Sequence, residues 1–146
     1  MSWSRPAVAD VDFVVDASVT LTWCFEDQVN AFSESVLDRF VDSAALVPNI
    51  WPLEIANALV VGERRGRLSE VHTARFVRLL GELPIDVEDQ NLGGAFGPVL
   101  AIARSHRLSA YDAAYLELAA RHGLPLATLD DALIQAATEA GVPLLA

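Results

Sequence analysis

The feature that most constrains this chain is a rhythm in which short apolar runs alternate with longer stretches of helical period. Phe13-Val14-Val15, Ala45-Leu46-Val47, Ile85-Asp86-Val87 and Leu126-Ala127 read as short strands, and Val142 to Leu145 offers a fifth. Between them, helical patterning runs over Glu34 to Ser43, Pro52 to Arg65, Ser69 to Leu80, Phe96 to Ser105, Ala110 to Arg121 and Asp131 to Ala140. Punctuation agrees with these boundaries. Pro52 suits a helix's first turn, Gly66 and Gly123 follow helices as C-terminal caps, and Pro84, Pro125 and Pro143 enter strands. Strands alternating with helices predict a parallel sheet of four or five strands with helices on both faces, a three-layer α/β/α architecture. Glu88 to Gly97, with its Gly93-Gly94 pair, reads as a flexible loop.

No repeat or linker divides the 146 residues, so residues 1–146 are read as a single domain, a size that buries roughly 68–70% of the unfolded chain's surface. Hydrophobic residues make up 53% of the chain, yet no apolar run approaches the roughly 18 residues of a membrane span. The surplus is assigned to a large core, an interface, or both, with Trp23, Phe25, Phe32, Trp51 and Phe76 as the aromatic candidates. Met1 to Asp12 lacks the apolar stretch of a secretory leader, which predicts a cytoplasmic protein. Cys24, the only cysteine, is read as a small core residue.

In open α/β sheets ligands bind beyond the carboxyl ends of the strands, so polar residues at strand-to-helix junctions draw attention. Four acids fall there. Asp16 ends the first strand, Glu54 lies in the first turn after the second, Asp112 begins a helix, and Asp130 follows the Leu126 strand. Each alone is explained by the preference for acids in a helix's first turn, and Ser109 to Asp112 is itself a capping-box pattern. Together, four carboxylates at one edge of a sheet repel one another and need protons or a cation to persist. Oxygen ligands without His or Cys favour Mg²⁺ or Mn²⁺, and Mg²⁺ completes its shell with water and phosphate oxygens. That chemistry belongs to phosphodiester hydrolysis by a metal-activated water.

Three neighbours bear on these acids. Ser18 is placed either to cap the next helix or to hydrogen-bond a metal-bound water. Asn57, one turn beyond Glu54, is placed to orient its carboxylate or simply to face solvent. Thr128 to Asp131 fits a capping box, so Asp131 is read as the cap of the final helix and Asp130 as the site residue.

Val15-Asp16-Ala17-Ser18-Val19, Glu54-Ile55-Ala56-Asn57-Ala58-Leu59, Ser109-Ala110-Tyr111-Asp112-Ala113-Ala114-Tyr115-Leu116 and Ala127-Thr128-Leu129-Asp130 resemble, in order, the successive motifs of PIN-domain proteins, especially VapC-type toxins. The resemblance runs from about Phe13 to Leu145. It implies a PIN fold and a Mg²⁺- or Mn²⁺-dependent endoribonuclease whose metal-site acids are Asp16, Glu54, Asp112 and Asp130. It also implies a homodimer and a cognate antitoxin that occludes the site.

One objection comes from charge. Twenty acids stand against ten bases, all arginine, for a net charge of −10, which repels a polyanion unless a local patch or bound cations reverse the sign. Arg64, Arg65, Arg67, Arg75 and Arg78 cluster in sequence, either as a phosphate-tracking edge or as a solvated surface balancing Glu63 and Glu70. The competing readings are a non-catalytic PIN-like interaction domain and a phosphoryl-accepting domain. The latter needs a second adjacent acid or an Asp-x-Asp motif and a lysine, and this chain has Asp16-Ala17-Ser18 and no lysine. Dinucleotide binding is excluded because no G-x-G-x-x-G follows a strand.

Overall fold

The computed structural model describes residues 10–146. The reading of Met1 to Asp12 as lacking a leader therefore falls, up to residue 9, outside the described residues. Four strands, β1 (Phe13–Val15), β2 (Ala45–Pro48), β3 (Ile85–Glu88) and β4 (Leu126–Ala127), form one parallel sheet in the order β3-β2-β1-β4. Every residue of β1, β2 and β4 is buried. A strand facing water on one side would alternate, so unbroken burial means that both faces are covered by helices. Val142 to Leu145 contributes only an isolated parallel bridge, Leu126 to Leu144, so the sheet has four strands and not five.

Among the described residues eight α-helical segments flank it: α1 (Ala17–Thr22), α2 (Ala31–Arg39), α3 (Trp51–Arg64), α4 (Glu70–Glu82), α5 (Leu92–Gly94), α6 (Leu100–His106), α7 (Ala110–His122) and α8 (Asp131–Ala140). The longer ones match the periodicity, with α2 displaced toward the N-terminus because Asn30 and Ser33 form a reciprocal capping box there. Gly123 closes α7 at φ 65°, the left-handed conformation that glycine adopts without a Cβ penalty.

Two expectations are corrected. The helical patterns of the sequence include none over residues 17–22, where the β-branched Val19, Thr20 and Thr22 disfavour a helix. Burial overrides propensity: Val19 and Thr20 are wholly buried, and the Thr20 and Thr22 hydroxyls return to the backbone carbonyls of Asp16 and Val19. The second concerns Glu88 to Gly97. Glu88 belongs to β3, and the chain is helical from Leu92, capped by Asn91, through a wide π turn at Ala95–Val99 into α6. Pro98 lies in that turn, where its missing N–H suits an interrupted hydrogen-bond ladder.

The aromatic candidates resolve toward the core. Phe25, Trp51 and Phe76 are buried in the core, and Trp23 and Phe32 are partly buried and pack against the same cluster. Cys24 is buried as expected. No helix among the described residues is long and apolar enough to cross a membrane. Leu133 on α8 is fully buried beneath the β4–α8 junction. Leu133→Ala is expected to destabilise the protein by about 2–5 kcal/mol in urea unfolding, the range for a leucine cavity in a packed core.

Candidate active site

Asp16 leaves β1 in extended conformation and caps α1, yet it is only 4% exposed. A carboxylate so buried requires hydrogen bonds. Oδ1 accepts from the Ser18 hydroxyl at 2.7 Å and the Val19 N–H at 3.1 Å, and Oδ2 accepts from the Thr128 hydroxyl. Both hydroxyls are themselves fixed: Ser18 Oγ accepts the Leu129 N–H at 2.9 Å, and Thr128 Oγ1 accepts the Asp130 N–H at 3.0 Å. One carboxylate thereby joins the loop after β1 to the loop after β4. Ser18 is thus not a cap; it holds Asp16.

Glu54 sits in the first turn of α3, partly buried, and its Oε1 accepts the Tyr115 hydroxyl at 2.7 Å. Asp112 occupies the first turn of α7, where the Ser109 hydroxyl accepts its N–H at 3.1 Å. Only that half of the predicted capping box forms among the described residues, so the Asp112 carboxylate is not spent on the backbone. Asn57 is exposed and makes no hydrogen bond to Glu54 among the described residues.

The acids act on each other. Burial, set against hydrogen bonds from Ser18, Thr128 and Val19, pushes the Asp16 carboxyl above its ordinary range, and the charge of Asp112 adds to the rise. Burial raises Glu54 as well, opposed by the Tyr115 hydrogen bond and reinforced by Asp112 and Asp16. Asp112 is raised by burial and then by Asp130. No described arginine or histidine forms an ion pair with any of the four.

Among the described residues no group of three or more His, Cys, Asp or Glu side chains is gathered closely enough to hold a metal ion by itself. Mg²⁺ does not require such a group, since it is commonly held by one or two carboxylates, several waters and substrate phosphates. An oxygen-only donor set with mutual, uncompensated repulsion fits Mg²⁺ or Mn²⁺ on these grounds.

The division of labour expected of the last pair of acids is corrected. Asp130, not Asp131, is the N-cap of α8: its Oδ1 accepts the Leu133 N–H at 2.9 Å, and Asp131 is the exposed first residue of the helix. Thr128, the other half of the supposed capping box, is occupied by Asp16. Asp130 still bears on the cluster through its charge on Asp112. Tyr115, within the third motif, assumes a role that the sequence leaves unassigned, and its place three residues after Asp112 puts both on one face of α7.

The PIN domain family model matches residues 13–139. The chain belongs to the PIN domain family. Among solved structures, this PIN domain is similar to PAE2754 from Pyrobaculum aerophilum, at 25% identity over 86% of this chain and 84% of that one, with a TM-score of 0.66. Its fold is shared with FitAcB from Neisseria gonorrhoeae (17% identity, 92% and 96% of the two chains, TM-score 0.62). A toxin–antitoxin complex from Klebsiella pneumoniae shares it too (13% identity, 82% and 87%, TM-score 0.56). No curated protein matches the chain.

Two outcomes are expected of this PIN domain. Asp130→Ala should cost about 0.5–2 kcal/mol of stability by removing a cap, while Asp131→Ala should stay within about 0.5 kcal/mol, both read by urea unfolding. The second concerns pH without metal. Asp16, Glu54 and Asp112 hold protons more tightly folded than unfolded, so above the ordinary carboxylate pKa of about 4 the folded state binds more protons and stability falls as pH rises. Glu88 is shifted downward, chiefly by its hydrogen bond from Arg121, and acts below that window with the opposite sign. In EDTA, Asp112→Asn should melt above wild type near neutral pH and coincide with it near pH 4. Parallel melting curves across that range would contradict the linked-carboxylate picture.

Proposed function

We propose that this PIN domain is a Mg²⁺- or Mn²⁺-dependent endoribonuclease, the cytoplasmic toxin of a toxin–antitoxin pair, acting as a homodimer under control of a cognate antitoxin. The observation that carries the reading is the set of mutually repelling acids at the carboxyl edge of the sheet, unpaired with any described cation, in a chain of a family whose members are generally nucleases. The likeness in fold to a toxin–antitoxin complex supports the partner assignment. Asp16, Glu54, Asp112 and Asp130 would hold the ion. Bound there, it supplies a water of lowered pKa and neutralises charge developing on the phosphate.

The chain's own contribution is orientation and charge. Ser18 and Thr128 aim Asp16 and keep it in place against the repulsion of Asp112. Arg64, Arg65, Arg75 and Arg78 are exposed and form no ion pair among the described residues, and they supply the positive edge for RNA phosphates. Arg67 is otherwise engaged, with Asp27 at 3.3 Å and over the Phe25 ring at 4.3 Å.

The wild-type protein is expected to cut single-stranded RNA with Mg²⁺ or Mn²⁺ and to stop in EDTA. Asp112→Asn should lower the rate by more than about a hundredfold, since changes to groups behind metal ligands already cost 10–100-fold. Asp112 is the cleaner test, because Asp16→Asn also disturbs three hydrogen bonds. Replacing Arg64 and Arg65 by Gln should weaken RNA binding to a cleavage-dead variant and reduce the salt slope by about 0.7 per lost phosphate contact. Full activity of Asp112→Asn would refute the site, and a non-cleaving but folded wild type would leave an interaction domain in its place.

A further inference from the structure

We infer that Tyr115 is a positioning residue for Glu54, its hydroxyl reserving Oε1 of the carboxylate so that Oε2 is the oxygen offered to a divalent ion. This rests on the metal-dependent reading of the same site. Tyr115 is the largest of the fully buried side chains, at 1% exposure. Filling that volume requires only a phenyl ring. A hydroxyl in the interior has to be satisfied, and an unsatisfied one is costly, so its partners disclose its use.

Its partner is one of the candidate acids. The hydroxyl donates to Glu54 Oε1 at 2.7 Å. The phenol thus reaches the first turn of α3. It does so from α7, the helix that also carries Asp112. Two elements of the candidate site are joined through one hydrogen bond.

Glu54 needs such a restraint. Its carboxylate ends a flexible chain, and the charges of Asp112 and Asp16 both act on it unfavourably. Without a fixed donor, repulsion favours rotamers that carry the group outward into water. The Tyr115 hydrogen bond opposes that drift. The phenol remains a donor throughout the ordinary pH range, since burial and the neighbouring carboxylates hold its proton on. Oε2 of Glu54 has no hydrogen-bond partner among the described residues.

The test compares wild type, Tyr115→Phe, Glu54→Gln and the double variant, following melting temperature in a Mn²⁺ titration that starts in EDTA, with circular dichroism to verify folding. Ligand-linked stabilisation reports affinity without requiring activity. Tyr115→Phe is expected to need roughly tenfold more Mn²⁺ for a half-maximal shift, in keeping with the loss of a group that orients a metal ligand. In the Glu54→Gln background the same substitution should change nothing further. A structural role alone would move the EDTA melting temperature and leave the Mn²⁺ midpoint where it was. A responsive wild type with an unchanged Tyr115→Phe midpoint, or a loss that persists in the Glu54→Gln background, overturns the role of Tyr115 and leaves the metal reading standing. A wild type that shows no Mn²⁺-linked shift overturns the divalent-ion reading and this inference with it.

Discussion

The burial of one carboxylate organises the carboxyl edge of the sheet. Asp16 stands at the end of a central strand, and it cannot move outward without breaking the cap of α1. Its desolvation has to be met locally, and the chain meets it from both sides: Ser18 and Val19 from its own loop, Thr128 from a loop more than a hundred residues away. The two hydroxyls then take backbone N–H groups of Leu129 and Asp130, so the position of the last acid follows from the hydrogen bonding of the first. An Asp at position 16 can accept all three bonds. An Asn offers one acceptor oxygen and two donors, so one of the donors now served would meet an N–H group instead. Charge and geometry are inseparable at that residue.

Much of this architecture is legible in the chain because the signals are local. Apolar runs of two to four residues and helical periods between them suffice for the parallel sheet and for the placement of Asp16, Glu54 and Asp112 at its carboxyl edge. What is illegible depends on contacts distant in sequence. Helix α1 has poor intrinsic propensity and is stabilised by burial against α3, where the Trp51 indole donates to the Thr20 hydroxyl at 3.1 Å. The fifth strand fails because only Leu144 reaches the ladder, a matter of approach that residue type does not encode. The partnership of Tyr115 with Glu54 spans 61 positions and leaves no mark in either motif alone.

The pair Asp130-Asp131 shows the same limit at single-residue scale. Either acid can cap α8 by spacing. A Thr128 cap would have favoured Asp131 as the reciprocal acid, and that is the local reading. The Thr128 hydroxyl is drawn instead to the buried Asp16 carboxylate, where a charged acceptor makes the stronger bond. With Thr128 engaged there, Asp130 caps the helix, which begins at Asp131 as its periodicity indicates. A long-range hydrogen bond has decided which of two adjacent acids caps the helix.

Helix α7 contains both ways of treating an acid. Near its C-terminal end, Glu117 is buried at 5% exposure and fully compensated: Arg121 Nε donates to it at 2.8 Å, while Arg121 and His122 reach Glu88 on β3 at 2.6 and 2.8 Å. Positive groups in the last turn also suit the negative end of the helix dipole. In its first turn, Asp112 interacts electrostatically with Asp16, Glu54 and Asp130, and no described arginine or histidine is paired to any of them. The chain therefore has arginines and uses one where a buried acid serves the fold alone. Asp16 and Asp130 also cap helices, but that does not account for the unpaired charge of Asp112, which raises the cost of ionising Asp16 and Glu54. A cation from solution would relieve that repulsion in a way that a fixed arginine would prevent, and this difference is the physical ground for the proposal that the N-terminal turn of α7 belongs to a metal-dependent site.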